Sequence, residues 1–347
     1  MLENRVILVT GAAGFIGSAL VKRLLNLNFI VVGLDNLNEY YDINLKLNRL
    51  KEIDKLVESS ESNANWIFYK EDLKNYEEIK NIFEKHRPKY VVNLAAQAGV
   101  RHSLEKPFEY VDSNLVGFVN VLEVCRKFDV KHLIYASSSS IYGSNRMLPF
   151  KEEDLTDHPI SLYAATKKSN ELMAHSYSHL YSFAVTGLRF FTIYGPWGRP
   201  DMAPMIFSNA IMNGQPIKLF NNGNMKRDFT FIDDAVESIV RCIEKSPSSD
   251  SKFDKAHPNP STSFCSYRVF NVSNNNTVSL IDFLELLENA LGKKAIIHYK
   301  DMQPGDVKDT LGDNNLLENW IDFRPNTPLK KGIQIFAEWY LDYFKIK

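Results

Sequence analysis

Three glycines at fixed spacing constrain this chain more than any other feature. Gly11, Gly14 and Gly17 lie in the run Gly11-Ala12-Ala13-Gly14-Phe15-Ile16-Gly17. Before it, Arg5 to Thr10 is short, apolar and β-branched, and reads as a buried parallel strand. After it, a helical pattern runs from Phe15 to Leu27, and Phe29 to Leu34 reads as a second strand ending at Asp35. A strand, helix and strand in roughly 30 residues is the size of a dinucleotide-binding half. Residues without side chains permit a tight turn and let backbone approach a pyrophosphate. The helix N-terminus then offers free N–H groups and a partial positive charge. The spacing is G-x-x-G-x-x-G rather than G-x-G-x-x-G, and an ordinary strand–turn–helix junction would give the same three glycines. Asp35 tips the balance. A carboxylate at the end of the second strand accepts hydrogen bonds from an adenosine ribose and repels a 2′-phosphate, which favours NAD over NADP.

The alternation continues. Trp66 to Tyr69, ending at Glu71-Asp72, reads as a third strand, Tyr90 to Leu94 as a fourth, His132 to Ala136 as a fifth and Ala184 to Phe190 as a sixth, with helical segments between. This pattern implies an α/β fold with a doubly wound parallel sheet of the Rossmann kind. We expect an NAD-binding domain over residues 1–190. Residues 191–347 should form mainly a smaller mixed α/β substrate-binding lobe, with some segments returning to the first domain. Asn36 to Asn65 reads as part helix and part loop, and Ser246 to Ser263, rich in Ser, Pro and Asp, as a surface loop. The aromatic stretch Phe336 to Phe344 reads as a helix that closes the smaller lobe. Two more strand ends offer cofactor contacts: Asp72 near adenine, and Leu94-Ala95-Ala96 beside ribose and pyrophosphate. Close packing would account for the alanines equally well.

Charge and cysteine usage narrow the classes. Lys plus Arg number 41 and Asp plus Glu 42, a formal net charge of −1, which gives no reason to expect a nucleic-acid or membrane-surface partner. Cys125, Cys242 and Cys265 form no C-x-x-C pair, so a reduced, cytoplasmic setting is the simplest expectation. The first strand begins within a few residues of Met1, so no signal peptide is expected, and no apolar run is long enough to cross a bilayer. The eight histidines lack metal-ligand spacing, so no metal is expected.

A catalytic constellation follows the fifth strand. Tyr163-Ala164-Ala165-Thr166-Lys167 places Tyr and Lys at i and i+4, on one face of a helix. A free tyrosine, with a pKa of about 10, is a poor base at neutral pH. A lysine ammonium and an oxidised nicotinamide both favour the phenolate. Y-x-x-x-K is common by chance, but here it follows Ala136-Ser137-Ser138-Ser139-Ser140-Ile141-Tyr142-Gly143, four serines at the carboxyl edge of a parallel strand. That edge faces the ligand crevice, where a serine can hydrogen-bond a reacting hydroxyl.

The glycine loop, the serine run and the Tyr163/Lys167 pair together resemble the extended short-chain dehydrogenase/reductase family over nearly the whole chain. Within it, the chain looks most like the UDP-glucuronate 4-epimerases. The runs that carry this likeness are residues 35–42 (DNLNEYYD), 95–101 (AAQAGVR), 189–202 (RFFTIYGPWGRPDM), 224–229 (NMKRDF) and 302–306 (MQPGD). The resemblance implies NAD as cofactor, a UDP-sugar as substrate, and a homodimer formed through the helices that follow the fourth strand and carry Tyr163. It implies that Ser138, Tyr163 and Lys167 are catalytic, Tyr163 as the base. It implies cofactor contacts from Gly11, Gly14, Phe15, Ile16, Gly17, Asp35, Asn36, Asp72, Leu73, Leu94, Ala95, Ala96, Asn114, Tyr163 and Lys167. Ser139, Ser140 and Thr192 would surround a sugar carboxylate with Arg199 close by. Arg101, Ser138 and Tyr163 would also touch substrate, Arg227 would bind the diphosphate, Asp306 the uridine ribose, and Pro216 to Phe220 would pack against uracil. Related sugar epimerases often carry Arg where Gln303 stands.

The implied reaction is oxidation at C4, rotation of the keto intermediate and reduction on its other face. Other readings use the same fold. A 4,6-dehydratase would carry Asp-Glu where Ser139-Ser140 stand. A UDP-glucuronate decarboxylase, or an epimerase of another UDP-hexose or UDP-N-acetylhexosamine, is chemically closer. A C6 dehydrogenase would need a nucleophilic cysteine, whereas Cys125 and Cys242 lie in helical apolar patterns. A non-catalytic NAD-binding redox sensor would not need Ser138, Tyr163 and Lys167.

Overall fold

A computed structural model describes residues 5–59, 65–303 and 307–346. Its strands are β1 (Val6–Thr10), β2 (Ile30–Asp35), β3 (Trp66–Lys70), β4 (Tyr90–Asn93), β5 (His132–Ser138), β6 (Ala184–Phe190), β7 (Thr192–Tyr194), β8 (Pro216–Leu219), β9 (Lys226–Phe231), β10 (Tyr267–Val272), β11 (Thr277–Ser279) and β12 (Ile296–Tyr299).

The main sheet is seven-stranded, in the order β10-β6-β5-β4-β1-β2-β3, and every pairing in it is parallel. Period-two alternation sends its side chains to two cores. Ile7, Val9, Val31 and Val92 pack with Leu20, Val21, Leu24 and Leu25 of the helix Phe15–Asn26 on one face. Leu8, Val32, Val91 and Leu133 pack with Ile79 and Phe83 of the helix Tyr76–His86 and with Val121 and Leu122 of the helix Gly117–Lys127 on the other. Burial on both faces explains why these strands are continuous apolar runs in the sequence.

The chain leaves β1 toward β2 on one side and reaches β4 on the other. The crevice that opens beyond the carboxyl ends of β1 and β4 is the topological switch point, where ligands bind in open α/β sheets. Two side chains fasten it: Thr10 Oγ1 donates to Asn93 Oδ1 at 2.7 Å, and the Ala95 amide donates to Thr10 Oγ1 at 3.1 Å.

Six strands were expected in this sheet, and the structure adds β10 beyond β6. Its sequence, YRVFNV, mixes polar residues into an edge position, and it follows residues 246–266, which contain neither helix nor strand. Asn271 of β10 earns its place through packing contacts of a polar kind. It accepts from Tyr142 Oη at 2.7 Å and donates to the carbonyls of Phe150 and Asp313 at 2.9 and 3.0 Å.

The remaining strands build two small sheets beside the carboxyl edge: β11-β9-β7, in which β9 is parallel to β7 and antiparallel to β11, and the parallel pair β12-β8. The helix Leu329–Tyr343 packs Ile333, Phe336, Ala337 and Tyr340 into the first core. Among the described residues no helix is long and apolar enough to cross a membrane.

Candidate active site

The glycine turn owes its spacing to a fold-back of the chain. Gly11 has φ +70°, and a Cβ there would stand 2.8 Å from the Ala95 amide nitrogen. A Cβ at Gly14 would stand 2.9 Å from the Gly11 carbonyl oxygen, and one at Gly17 would run into that same oxygen. The turn is closed by the Gly14 amide donating to the Gly11 carbonyl at 2.9 Å. Gly14 caps the helix Phe15–Asn26 without a side-chain hydrogen bond, and the first turn holds no acidic residue. Its leading N–H groups and dipole therefore stay available to an anion in the crevice.

Asp35 closes the other side of this cradle. One carboxylate oxygen accepts from the Ala13 amide at 3.1 Å and the other from the Leu37 amide at 2.9 Å. Each oxygen retains a second lone pair for a ribose hydroxyl. Burial pushes the Asp35 carboxyl above its ordinary range, opposed by the charge of Lys46. Lys46 Nζ is itself held by Asn38, through its carbonyl at 2.8 Å and Oδ1 at 2.6 Å. These residues fit NAD: the side chains that would block a pyrophosphate are absent, and a diol partner stands where the ribose would lie.

Beyond the cradle, Ser161 caps the helix Leu162–Tyr181 by accepting from the Ala164 amide at 3.1 Å. That start places Tyr163 and Lys167 one turn apart on the cavity side. Lys167 Nζ donates to the Ala136 carbonyl of β5 at 2.9 Å and lies 6.0 Å from the Tyr163 ring centroid. Burial lowers the Lys167 pKa to about 8. Burial also pushes the Tyr163 phenol up, opposed first by a hydrogen bond with Ser138 and then by the charge of Arg199. In the protein alone, then, Ser138 and Arg199 favour the phenolate, whereas the sequence pointed to Lys167 and an oxidised nicotinamide. The lysine is bonded to the strand, not to the phenol.

Ser138 ends β5 and caps the short turn Ser139–Tyr142, accepting from the Ser140 amide at 3.2 Å. Beneath it lies a buried polar network that sequence reasoning missed. Ser137 Oγ donates to Glu171 Oε1 at 2.7 Å, and Arg189 of β6 grips Glu171 with Nε and Nη2 at 2.9 and 3.0 Å. Arg189 Nη1 also donates to Tyr142 Oη at 3.0 Å. The network ties β5, β6 and the helix of Tyr163 together directly under the serines. An Arg in the otherwise largely apolar β6 was its one sequence signal.

One cavity of about 400 Å³ joins these parts. Gly11, Gly14, Phe15, Ile16, Gly17, Asp35, Asn36, Asp72, Leu73, Leu94, Ala95 and Ala96 line it around the glycine turn, where the cofactor is expected, and Ser138, Ser139, Ser140, Tyr163, Lys167, Thr192 and Arg199 line the part where the sugar is expected. Four residues of the sequence reading stand off this lining. Asn114 braces the wall: its Oδ1 accepts from the Gln97 amide at 2.8 Å and its Nδ2 donates to the Gln97 carbonyl and Thr166 Oγ1, both at 3.0 Å. Arg101 is exposed and stacks over the Phe220 ring at 4.6 Å, next to the segment expected to meet uracil. Arg227 donates to the carbonyls of Lys226, Val307 and Lys308. Gln303 is half-buried. Asp306 lies outside the described residues. Lining residues to which the sequence gave no role include Asn38, Tyr40, Tyr41, Lys46, Gln97, Gly99 and Met202.

A doubly wound parallel sheet, a glycine turn at its switch point and a Ser/Tyr/Lys cluster facing the same cavity define a dinucleotide-dependent enzyme acting on a hydroxyl-bearing carbon. Residues 7–254 match the model of the NAD dependent epimerase/dehydratase family. The chain belongs to that family, and it is an NAD-dependent nucleotide-sugar 4-epimerase. It is 52% identical to Protein CapI of Staphylococcus aureus over 98% of this chain and 99% of that one. It is 45% identical to a "Probable UDP-glucuronate 4-epimerase" of Rhizobium meliloti over 96% of each. The crystal structure of UDP-glucuronic acid 4-epimerase from Bacillus cereus, in complex with UDP-glucuronic acid and NAD, superposes with a TM-score of 0.83 at 30% identity, covering 97% of this chain and 99% of that one.

Proposed function

We propose that the chain interconverts UDP-glucuronate and UDP-galacturonate without loss of carbon dioxide. The observation that carries this reading is the sugar side of the cavity, where the hydroxyls of Ser139, Ser140 and Thr192 and the guanidinium of Arg199 face the same space as Tyr163. A neutral C6 hydroxymethyl group needs no cation, whereas a carboxylate is well served by one cation and several hydroxyl donors. The similarity to UDP-glucuronate 4-epimerases over the full length supports the same substrate.

In this reading Ser138 hydrogen-bonds the C4 hydroxyl and Tyr163 takes its proton. NAD supplies a hydride acceptor and donor at C4. Lys167 pins the helix to β5 and keeps a positive charge beneath the phenol. The C4 ketone and the C5 carboxylate make a β-keto acid, which loses carbon dioxide when the C5–C6 bond stands perpendicular to the carbonyl plane. Ser139, Ser140, Thr192 and Arg199 hold the carboxylate away from that geometry. The test is NMR of UDP-glucuronate incubated with the purified protein and no added cofactor: UDP-galacturonate should appear, and UDP-pentose or no change would overturn the reading.

In this reading Asn114 contacts the cofactor, Arg101 and Gln303 the substrate, Arg227 the diphosphate and Asp306 the uridine ribose. We also propose a homodimer. Phe108 (80% exposed), Leu172 and Leu180 (each 61%) put apolar side chains on the segment after β4 and on the helix of Tyr163, and a second copy would cover them. Sedimentation of the purified protein should give twice the 39.8 kDa chain mass; a monomer would contradict this. The three free cysteines suit a reducing compartment such as the cytoplasm.

A further inference from the structure

Three segments that are distant in sequence meet at one hydroxyl on the sugar side of the cavity. Tyr40, from the loop after β2, donates its Oη to Asp201 Oδ2 at 3.0 Å. Asp201 follows the loop after β7 and receives Arg199 side-on, with Nε to Oδ1 at 3.0 Å and Nη2 to Oδ2 at 2.6 Å. The third segment follows β4. Gly99 has φ +103°, and a Cβ there would stand 2.8 Å from Tyr40 Oη and 3.8 Å from Asp201 Oδ2. Glycine at this position therefore makes the room in which the phenol reaches the carboxylate. Tyr110 pins that segment by donating to the Ala98 and Gly99 carbonyls at 2.8 and 2.6 Å, and its ring meets Tyr163 edge-on at 6.0 Å.

We propose that Tyr40 and Asp201 are positioning residues that fix the orientation of Arg199 toward the substrate carboxylate, and thereby set the ratio of epimer to decarboxylated product. A guanidinium offers five N–H groups in a rigid fork. The side-on pair with Asp201 occupies Nε and Nη2, and Nη2 also lies 3.8 Å from Met202 Sδ. Nη1 is left to approach a ligand from a single direction. Without the pair, the long arginine side chain samples many rotamers and can follow the carboxylate as the keto intermediate turns. With it, the carboxylate meets a donor fixed to the frame. Tyr40 fixes Asp201 in turn, and its loop begins at Asp35 and Asn36, the cofactor's own side of the cavity. The arginine that restrains the sugar is thus braced from the cofactor side.

When the restraint fails, the C5–C6 bond breaks, carbon dioxide leaves, the electron pair passes into the C4 carbonyl as an enolate, C5 takes a proton from solvent, and the C4 ketone is reduced by the hydride that C4 oxidation had removed, which leaves a UDP-pentose. The proposal rests on the carboxylate reading above, and a variant of Arg199 separates the two. Wild-type, Arg199→Met, Asp201→Asn and Tyr40→Phe proteins are incubated with UDP-glucuronate, and UDP-galacturonate and UDP-pentose are quantified by NMR. Tyr40→Phe removes one hydroxyl from a half-buried ring and keeps the fold. Loss of that single hydrogen bond should raise the pentose fraction about 3- to 10-fold. Asp201→Asn, which removes a charge-assisted pair, should raise it by about tenfold or more. Bound NAD per chain should stay at the wild-type level in both. A residue with a merely structural role would lower the rate and leave the product ratio alone. If Arg199→Met shifts the ratio while Tyr40→Phe and Asp201→Asn do not, positioning is refuted and the carboxylate reading stands. If Arg199→Met leaves the ratio unchanged, or the wild type does not turn over UDP-glucuronate, both fall.

Discussion

Replacing Glu171 by Gln removes one negative charge from beneath the serines that end β5 and leaves the volume almost unchanged. The side chains of Arg189 and Glu171 are 0% and 4% exposed, so the arginine cannot turn to water for compensation. Breaking a buried pair by neutralising one partner costs about 3–5 kcal/mol, because the other charge stays desolvated. For a chain of this size, at about 2 °C per kcal/mol, the melting temperature should fall by roughly 6–10 °C. The assay is thermal unfolding followed by circular dichroism, alongside the double variant Glu171→Met with Arg189→Met. Removing both charges removes the desolvation problem, so the double variant should be less destabilised than the two single changes summed. A fall of less than about 2 °C for Glu171→Gln, or strict additivity in the double variant, would refute the claim that this pair is a buried unit.

Three further outcomes follow from elsewhere in the structure. Gly11→Ala forces a Cβ to within 2.8 Å of the Ala95 amide nitrogen in a left-handed backbone, so the purified variant should carry little or no NAD when its nucleotide content is measured after denaturation; wild-type content would show that the turn tolerates a side chain. Burial raises the Glu152 carboxyl to about 7, so the folded protein holds a proton there that the unfolded chain releases above about 4.3, and this group's contribution to stability falls as pH rises from about 4.3 to 7. Glu152→Gln should accordingly lose less melting temperature than the wild type between pH 5 and about 7, and an unchanged pH profile would count against it. Thr192→Val or Ser140→Ala should raise UDP-pentose by-product in the NMR assay; unchanged product ratios would remove those hydroxyls from the carboxylate site.

What the sequence revealed follows from how local each constraint is. The glycine turn was legible because its geometry is set within seven residues, and Asp35 because it ends a strand of recognisable pattern. Tyr163 and Lys167 were legible as a helical pair. The source of the tyrosine's electrostatics was not, because Lys167 turns to the Ala136 carbonyl and Ser138 and Arg199 approach from other elements. β10 was hidden because an edge strand with Arg268 and Asn271 lacks the apolar run of its neighbours. The meeting of Tyr40, Gly99 and Asp201 depends on three loops that only the sheet order brings together. The Glu171–Arg189 pair sits in elements that read as ordinary helix and strand, and neither residue alone announces its partner.

In the proposed epimerisation, hydrogen leaves C4 as hydride and returns to the same carbon. UDP-glucuronate deuterated at C4, incubated in ordinary water with the protein and no added NAD, tests it most directly. The UDP-galacturonate formed should keep its deuterium at C4. Replacement of that deuterium by solvent hydrogen, or product that forms only when NAD is supplied in stoichiometric amount, would contradict it.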